Sequence, residues 1–266
     1  MQTHSYESIK IIDSKNDKTA DYLVVEAPLQ ININNTPYTV VMRTPNNDID
    51  LIRGLLYAED IYKNKQPFEF EIEEDNANFS TVINLNIPNN LLGKGYLNKR
   101  TLLSVSSCGI CGKQELEDIQ LTGNSLNTNT TISHQQIQKM FTILHKNQET
   151  FKTTGGSHAA AIFNKQCELL TIKEDIGRHN AVDKCVGNLL EQQKLTKSHC
   201  LLVSGRVSYE IVSKAFFAKI PIIVAVSACS SLAVDFAKEF GICLIGFSRD
   251  NKMTIYSNPQ YINYER

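Results

Sequence analysis

The sequence predicts an α/β protein, α+β overall, in which a smaller N-terminal α+β domain precedes a three-layer α/β/α C-terminal domain. Strands with one helix are predicted for residues 1–103, a polar segment with little periodicity for residues 104–132, and helices alternating with strands for residues 133–266. Such alternation favours a largely parallel or mixed sheet with helices on both faces. A chain of 266 residues can form one large domain or two modest ones.

The N-terminal part contains strand patterns on both sides of one helix. Two stretches rich in β-branched residues, YLVVEAPLQININ and YTVVMRT, predict strands joined by a turn at Asn34 and Asn35. Pro45 and Asn46 mark the start of a helix. The apolar face of this helix is predicted to consist of Ile49, Leu51, Ile52, Leu55 and Leu56. FEFEIEED and FSTVINLNI alternate with period two, which predicts a hairpin.

The C-terminal part follows SVSSCGICGKQELEDIQLTGNSLNTNT, a stretch whose length and polar composition predict a mobile, functional surface loop. One helix is then predicted over SHQQIQKMFTILHKNQETF, with an apolar face formed by Ile137, Met140, Phe141 and Leu144. Strands are predicted over HAAAIF, ELLTIKED, CLLVSG, IIVAVS, ICLIGF and MTIYS, and helices follow the second, third and fourth of them.

The charge balance argues against binding of nucleic acid by bulk electrostatics, because Lys plus Arg is 27, Asp plus Glu is 28 and the net charge is −1. No apolar signal region is present at the start, and no stretch approaches the roughly 18 apolar residues of a membrane span. We therefore expect a cytoplasmic protein that binds neither nucleic acid nor membrane. Five of the seven cysteines occur singly and are expected to be small buried residues: Cys167, Cys185, Cys200, Cys229 and Cys243.

Basic residues follow three predicted strands of the C-terminal part. Arg178 and His179 follow ELLTIKED, Arg206 follows CLLVSG, and Arg249 and Lys252 follow ICLIGF. In open α/β sheets, ligands bind at the carboxyl ends of the strands, where helix N-termini and arginines suit phosphate groups. The sequence therefore predicts a phosphate-bearing, nucleotide-like ligand, although each arginine taken alone is as easily an ordinary surface charge.

A glycine pair followed by a histidine occurs in TGGSHAAA. Gly155 and Gly156 would allow the backbone to approach the ligand closely, and His158 follows at once. A single histidine before an apolar strand is more often structural than catalytic. We include Gly156 and His158 among the predicted ligand-binding residues.

The reactive chemistry is predicted to lie in SSCGICGK, where Cys108 and Cys111 form the only closely spaced cysteine pair in the sequence. The pair could be half of a zinc site, a redox disulfide or a sulfur carrier. A structural zinc site needs four ligands, and no second C-x-x-C or H-x-x-x-H motif occurs. A redox pair normally begins a helix of a thioredoxin-like βαβ unit, which is absent from the pattern. Spacing alone leaves the three interpretations open.

Several stretches together resemble the FdhD family of formate dehydrogenase accessory sulfurtransferases. They occur in family order over about residues 42–257 and include MRTPNND, GLLYAEDI, SSCGICGK, TGGSHAAAIF, EDIGRHNAVDKCVG, SGRVSYEIVSKA and ICLIGFSRDNKMTIYS. The resemblance implies that a cysteine desulfurase loads sulfur as a persulfide onto Cys108, with Cys111 as a second loop thiol. The sulfur would then pass to the bis-guanylyl molybdenum cofactor (Mo-bis-molybdopterin guanine dinucleotide), a bound substrate that GDP could mimic, before insertion into the catalytic subunit of formate dehydrogenase.

The resemblance also implies a fold, a binding segment and an oligomeric state. The C-terminal domain is expected to have a cytidine deaminase-like α/β/α fold, and the protein is expected to be a homodimer. The binding segment maps to Phe247, Ser248, Arg249, Asp250, Asn251 and Lys252. We expect Arg178, Arg206, Arg249 and Lys252 to hold the guanylyl phosphates, with His158 and His179 orienting the ligand or transferring a proton.

Two departures from the family pattern concern details of binding. Lys252 occupies a position where a second arginine is expected, so the bidentate fork of arginine is lost. SACSS places Cys229 near the expected ligand. Two other functions remain: a guanine-nucleotide or cofactor-binding chaperone without transfer chemistry, and a zinc hydrolase of the deaminase type. The second is disfavoured because the sequence contains no H-x-E or C-x-E motif and no P-C-x-x-C motif, so no metal ligand is assigned.

Overall fold

The computed structural model describes residues 2–64, 66–75, 79–96, 123–249 and 251–263, with the backbone alone for residues 74 and 75. These residues form a mixed α/β structure with several sheets, so the predicted α/β class is confirmed. Within the described ranges, no helix combines the length and apolar character needed to cross a membrane.

The first element is an antiparallel hairpin of strands β1 (Thr3–Ile12) and β2 (Lys15–Val24). The sequence pattern did not predict this hairpin, and the strand predicted over YLVVEAPLQININ merges the end of β2 with the following strand. The reason is physical: neither strand has a buried residue, so the apolar alternation that predicts a half-buried strand is absent.

A four-stranded sheet follows, and one helix covers it. The strands are β3 (Ala27–Ile33), β4 (Thr36–Arg43), β5 (Glu69–Asp75) and β6 (Ser80–Asn86), in the order β4-β3-β6-β5, and the helix is α1 (Asp48–Ala58). The helix buries its predicted apolar face against Leu29, Ile31 and Ile83 of the sheet. Strand β6 pairs in parallel with β3 and antiparallel with β5, so the predicted hairpin β5–β6 joins the sheet through β6.

The C-terminal part is built on a six-stranded mixed sheet. Its elements are β7 (Ile132–Ser133), α2 (His134–Lys146), α3 (Glu149–Thr154), β8 (His158–Phe163), β9 (Leu169–Asp175), α4 (Arg178–Glu191), β10 (Cys200–Val203), α5 (Tyr209–Phe217), β11 (Ile222–Ala225), α6 (Ser231–Glu239), β12 (Cys243–Arg249), β13 (Lys252–Ser257) and β14 (Ile262–Asn263). The strand order is β13-β12-β11-β10-β8-β9, and β7 pairs with β14 in a separate small sheet. Strands β10, β11 and β12 are parallel, whereas β8, β9 and β13 are each antiparallel to a neighbour.

Helices lie on both faces of this sheet. Apolar residues of α4, α5 and α6 pack with one set of strand residues, and those of α2 pack with the alternating set. The likeness of these layers to a cytidine deaminase and the domain boundaries at residues 103 and 132 stay predictions. The helix predicted over SHQQIQKMFTILHKNQETF is two helices, because Asn147 ends α2 and Gln148 begins α3.

Helices α1 and α4 pack backbone to backbone and join the two parts of the chain. A Cβ atom on Gly54 would lie 2.0 Å from the carbonyl oxygen of Asp183, and one on Gly187 would lie 1.8 Å from that of Asp50. Only glycine allows this approach at both positions. The N-terminal sheet is thereby held close to the turn that begins α4.

Candidate functional site

Strand direction brings the predicted ligand-binding segments to one edge of the six-stranded sheet. The carboxyl ends of β9, β10, β11 and β12 lie at this edge, together with the amino end of the antiparallel strand β8. In open α/β sheets such an edge is where ligands bind. We call it the ligand edge.

A buried aspartate fixes the turn between β9 and α4. The carboxylate of Asp175 is fully buried and accepts four hydrogen bonds or ion-pair contacts at 2.7–3.1 Å. The donors are the N–H groups of Thr44 and Gly177, the amide of Asn180 and the ammonium of Lys184. A carboxylate this well satisfied holds the first residues of α4 in one position.

The same turn is bound to the N-terminal part through Thr44. Its N–H donates to Asp175, its hydroxyl accepts from the N–H of Ile176 at 3.0 Å, and its carbonyl accepts from Lys184 at 2.8 Å. The amide of Asn180 also donates to the carbonyl of Met42 at 2.8 Å. The motifs MRTP and EDIGRHNAVDK therefore meet in space and position the residues that follow the turn.

Three of the predicted ligand-binding residues converge on Gly205, in the loop after β10. A Cβ atom on Gly205 would lie 3.2 Å from His158 Nδ1 and 3.3 Å from Arg178 Cδ. Arg206, the next residue, is exposed. The Nε atom of Arg178 is buried and has no hydrogen-bond partner among the residues the structure describes. A buried N–H donor without a partner is costly, so this guanidinium is suited to an anionic ligand.

The pKa of His158 reports the basic character of this position. Burial lowers it most, the positive charges of Arg178 and Arg206 lower it further, and Asp175 opposes them. His158 is therefore a neutral imidazole at neutral pH. It can donate or accept a hydrogen bond without adding a charge.

A hydrogen-bonded chain links α4 to the start of α5. His179 Nε2 lies 3.0 Å from the hydroxyl of Ser208, and His179 Nδ1 lies 3.2 Å from the carboxylate of Glu210. The contact with Glu210 is not a well-aligned hydrogen bond, because that carboxylate oxygen has no partner of good geometry in the described part of the chain. Lys214 supports Glu210 at 3.5 Å and binds Asp183 at 2.8 Å.

Ser208 is the N-cap residue of α5, but its side chain caps no N–H group of the helix. The equivalent serine of α6, Ser230, accepts from the N–H of Ala233 at 3.2 Å as an N-cap normally does. The hydroxyl of Ser208 is instead held by His179, beside the first turn of α5. This turn follows the carboxyl end of β10 and therefore lies at the ligand edge.

The segment predicted to bind the cofactor lies two strands away along the same edge, at the junction of β12 and β13. Arg249 and Lys252 are exposed and directly opposite each other in the sheet. Like charges opposite each other destabilise a strand pair, so this position favours a bound anion. With strands about 4.8 Å apart, β12 lies about 10 Å from β10, within the span of a dinucleotide.

Phe247 interrupts β12 at a register shift and is 42% exposed. Its φ of 51° lies in the left-handed region, which is rare for a bulky residue and is typical of functional sites. Ser248 is buried, and the side chain of Asn251 accepts from Gln138 of α2 at 2.6 Å. An exposed aromatic ring is thus held beside the cationic pair.

The other predicted residues lie apart or outside the described residues. The position of a Cβ atom on Gly156 is 2.9 Å from the side chain of Val24, so Gly156 contacts the base of the hairpin, and its role in ligand binding stays a prediction. Cys108, Cys111 and Asp250 lie outside the described residues.

The five described cysteines are all free, and burial raises the pKa of each of their thiols. The pKa of Cys229, the described cysteine nearest the ligand edge, is raised to about 11. Because the thiolate is the nucleophile in sulfur exchange, the raised pKa disfavours each of these cysteines as the nucleophile at neutral pH. No group of three or more His, Cys, Asp or Glu side chains in the described ranges is arranged to hold a metal ion.

The sequence places Ser208 beside Arg206 in the loop between a predicted strand and helix, but it gives this serine no role of its own. It gives no sign that Asp175, Lys184 and Glu210 belong to the site. The signal for Asp175 and Lys184 was not local, because their common partner Thr44 is 131 residues from Asp175.

Comparisons with known proteins agree with the resemblance in the motifs. The model of the FdhD/NarQ family matches residues 24–263. The sulfur carrier protein FdhD of Sulfolobus acidocaldarius is 39% identical over 264 residues, which cover 99% of this chain and 100% of the relative. The protein of the same name from Mycolicibacterium paratuberculosis is 40% identical over 249 residues, covering 90% and 91%.

The fold matches that of a protein from Desulfotalea psychrophila described as a formate dehydrogenase accessory protein. The TM-score to its crystal structure is 0.76 at 20% identity, and the match covers 99% of this chain and 100% of the other. The chain therefore shares the fold of that protein. This chain is a member of the FdhD/NarQ family, as the motifs predicted.

Proposed function

We propose that this protein is a cytoplasmic sulfurtransferase required for formate dehydrogenase activity. Cys108 accepts sulfur as a persulfide from a cysteine desulfurase and passes it to the bis-guanylyl molybdenum cofactor, which is then inserted into the catalytic subunit of formate dehydrogenase. Membership of a family whose relatives are named sulfur carrier proteins carries this proposal.

The thiol chemistry supports Cys108 as the carrier. All five described cysteines have a raised pKa, so the nucleophile is sought in the pair Cys108 and Cys111. In loading, the Cys108 thiolate attacks the terminal sulfur of the desulfurase persulfide, the donor S–S bond breaks and the donor thiolate leaves. In delivery, the acceptor supplies the electron pair for the new bond, and Cys108 leaves as a thiolate.

The ligand edge supports a guanylyl cofactor as the acceptor. Arg178 and Arg206 at one end, and Arg249 with Lys252 at the other, supply cations for phosphate groups. Phe247 offers an exposed aromatic face on which a guanine base can stack. His158 lies near Arg178, and His179 follows Arg178 at the start of α4; in this proposal both histidines orient the ligand.

Sulfur loading tests the carrier directly. After incubation with a cysteine desulfurase and cysteine, mass spectrometry of the intact protein and its peptides should show one added sulfur on Cys108. Cys108→Ala should abolish the adduct, and Cys229→Ala is the matched control because it removes a half-buried cysteine near the same edge. Loading that persists in Cys108→Ala would refute the assignment.

Nucleotide titration tests the acceptor site. Arg249→Ala should weaken GDP binding by about 1.5–3 kcal/mol, the scale of a charge-assisted hydrogen bond. Lys197→Ala is the control, since Lys197 is an exposed cation that precedes the amino end of β10, at the opposite edge of the sheet. Equal affinities of the two variants would remove Arg249 from the site.

The two other functions make different predictions. A binding chaperone without transfer chemistry would bind GDP, and formate dehydrogenase would remain active in cells carrying Cys108→Ala. A zinc hydrolase would contain stoichiometric zinc that is lost on Cys111→Ala.

A further inference from the structure

Ser208 occupies a position where a serine normally caps a helix, but its hydroxyl is used differently. It lies in the loop after β10 and immediately precedes α5, and its side chain accepts no N–H group of that helix. Ser230 precedes α6 in the same way and does cap it. Loss of an N-cap costs about 1 kcal/mol. The uncapped start of α5 indicates that the hydroxyl of Ser208 has another role.

The hydroxyl of Ser208 contacts the imidazole of His179, the second residue of α4. The distance from Ser208 Oγ to His179 Nε2 is 3.0 Å. The other ring nitrogen, Nδ1, lies 3.2 Å from the carboxylate of Glu210. His179 is buried and Ser208 is half-buried, so the serine is the more accessible of the two to a ligand.

The charges around His179 favour one position for the ring proton. The second carboxylate oxygen of Glu210 lies 3.5 Å from the ammonium of Lys214, which is fixed at 2.8 Å from the carboxylate of Asp183. The negative charge of Glu210 beside Nδ1 favours a proton on that nitrogen. In the neutral ring Nε2 is then an acceptor, and the hydroxyl of Ser208 donates to it. A histidine held in this form acts as a general base toward a serine hydroxyl.

Two arginines beside this group indicate the kind of substrate. Arg206 is exposed and lies two residues before Ser208, and Arg178 is adjacent to His179 at the start of α4. The Nε atom of Arg178 is buried and has no hydrogen-bond partner among the described residues. Guanidinium groups in these positions are suited to a phosphate group. A serine activated by histidine attacks a carbonyl carbon. The expected substrate therefore combines a phosphate with an ester or thioester.

We propose that Ser208 is a nucleophile that accepts an acyl group from a phosphate-bearing ester or thioester, with His179 as its general base and Glu210 as a positioning residue. Ser208 Oγ attacks the carbonyl carbon while His179 Nε2 takes the hydroxyl proton. The bond to the leaving oxygen or sulfur then breaks, and the leaving group takes this proton. Water hydrolyses the acyl-serine, which releases the carboxylic acid and restores the hydroxyl. This activity goes beyond sulfur transfer and uses neither Cys108 nor Cys111.

Labelling of the full-length protein with diisopropyl fluorophosphate tests the nucleophile. Ser208 Oγ displaces fluoride from phosphorus in this reaction, so mass spectrometry should find the adduct on Ser208. Ser208→Ala should abolish the adduct. His179→Gln should slow its formation at least about 100-fold, the scale of general-base catalysis. Ser230→Ala is the matched control and should be labelled at the rate of the unmodified protein, because that hydroxyl caps α6.

The pH dependence separates activation of the serine from packing, since a substitution at a buried histidine could also disturb the fold. In the unmodified protein the labelling rate should rise with pH and then level off, because only the neutral ring accepts the proton. Glu210→Gln should slow labelling at least about tenfold and move the plateau to lower pH, since an amide no longer stabilises the charged ring.

Two esters test the substrate class. Acetyl-coenzyme A is a thioester that carries phosphates, and p-nitrophenyl acetate is a neutral ester. Both should be hydrolysed by the unmodified protein, and the ratio of their kcat/KM values should fall about tenfold in Arg206→Ala, through loss of a charge-assisted contact with phosphate. An unchanged ratio would remove the phosphate from the proposed substrate.

Three results would overturn the assignment of Ser208. They are the absence of an adduct on Ser208, an adduct that forms equally fast in folded His179→Gln, and a labelling rate that rises with pH without reaching a plateau. Persulfide loading on Cys108 is a separate measurement, so failure of the serine chemistry leaves the sulfurtransferase proposal standing, and failure of loading leaves the serine chemistry to its own test.

Discussion

Replacement of Asp175 by asparagine should be among the most damaging single-atom changes in this protein. The fully buried carboxylate accepts from four donors at 2.7–3.1 Å. Asparagine offers one acceptor oxygen, so its NH2 group would face donors at the other position. Lys184, whose side chain is 1% exposed, would lose its counter-charge.

The expected loss in the free energy of unfolding is about 3–5 kcal/mol, the cost of leaving one partner of a buried ion pair alone. This is a large part of the roughly 5–15 kcal/mol that stabilises a typical protein. The loss should appear in urea denaturation curves. A parallel GDP titration should show weaker binding, since the turn positions Arg178.

Asp60→Asn provides a matched control. Asp60 pairs with Lys63 at 2.8 Å, almost the same distance as Asp175 with Lys184, but its side chain is 45% exposed and that of Lys63 is 40% exposed. This variant should lose less than about 1 kcal/mol. If Asp175→Asn costs no more than Asp60→Asn, the reasoning from burial and donor count is refuted. Adding Lys184→Met to Asp175→Asn should recover part of the loss, because it removes the unpaired charge.

Three further predictions concern the ligand edge and the helix contact. Ser208→Ala should weaken GDP binding by about 0.5–1.5 kcal/mol in a titration. Ser230→Ala should leave GDP binding unchanged and lower the free energy of unfolding by about 1 kcal/mol, because α6 loses its N-cap. The reverse pattern would contradict the assignment of the two serines. Burial lowers the pKa of His158 most, and the charges of Arg178 and Arg206 lower it further, so bound phosphates that offset these charges should raise it. GDP binding should then take up a proton and tighten as the pH falls through the pKa of the bound state. An NMR titration of the imidazole with and without GDP measures this, and an unchanged pKa would place the ligand elsewhere. Gly187→Ala should lower the free energy of unfolding by about 1–3 kcal/mol in denaturation experiments, because the methyl group of the alanine would clash with the carbonyl of Asp50. This clash outweighs the better helix propensity of alanine. Unchanged stability would show that the two helices can move apart at no cost.

The elements that bury one face and expose the other could be predicted from the sequence. Leu51, Ile52, Leu55 and Leu56 recur with helical spacing and are buried in α1 as predicted. The polar turns after β9 and β10 also stood out, because strand ends followed by arginine are local patterns. The hairpin formed by residues 3–24 gave no such signal, since a strand exposed on both faces has no alternation to detect.

The parts of the site that depend on distant contacts could not be predicted. Nothing near Thr44 indicates that all of its polar backbone and side-chain groups serve a turn 131 residues later. The sequence also gives no sign that the Ser208 side chain does not cap α5. Ser208 and Ser230 have the same position before a helix and differ only in the residues that surround them. The need for glycine at position 187 of α4 is likewise apparent only from the contact of this helix with α1.

The contact of Thr44 with the β9–α4 turn means that the C-terminal half cannot be separated as a working module. A fragment cut after the cysteine-bearing segment would lack the carbonyl and N–H groups of Thr44 and the carbonyl of Met42, and it would uncover the ammonium of Lys184 and the carboxylate of Asp175. Transplanting the arginine-bearing loops onto another scaffold would meet the same difficulty. Loss of the Thr44 contacts should therefore disturb the ligand edge, although Thr44 lies far along the chain from the arginine-bearing loops.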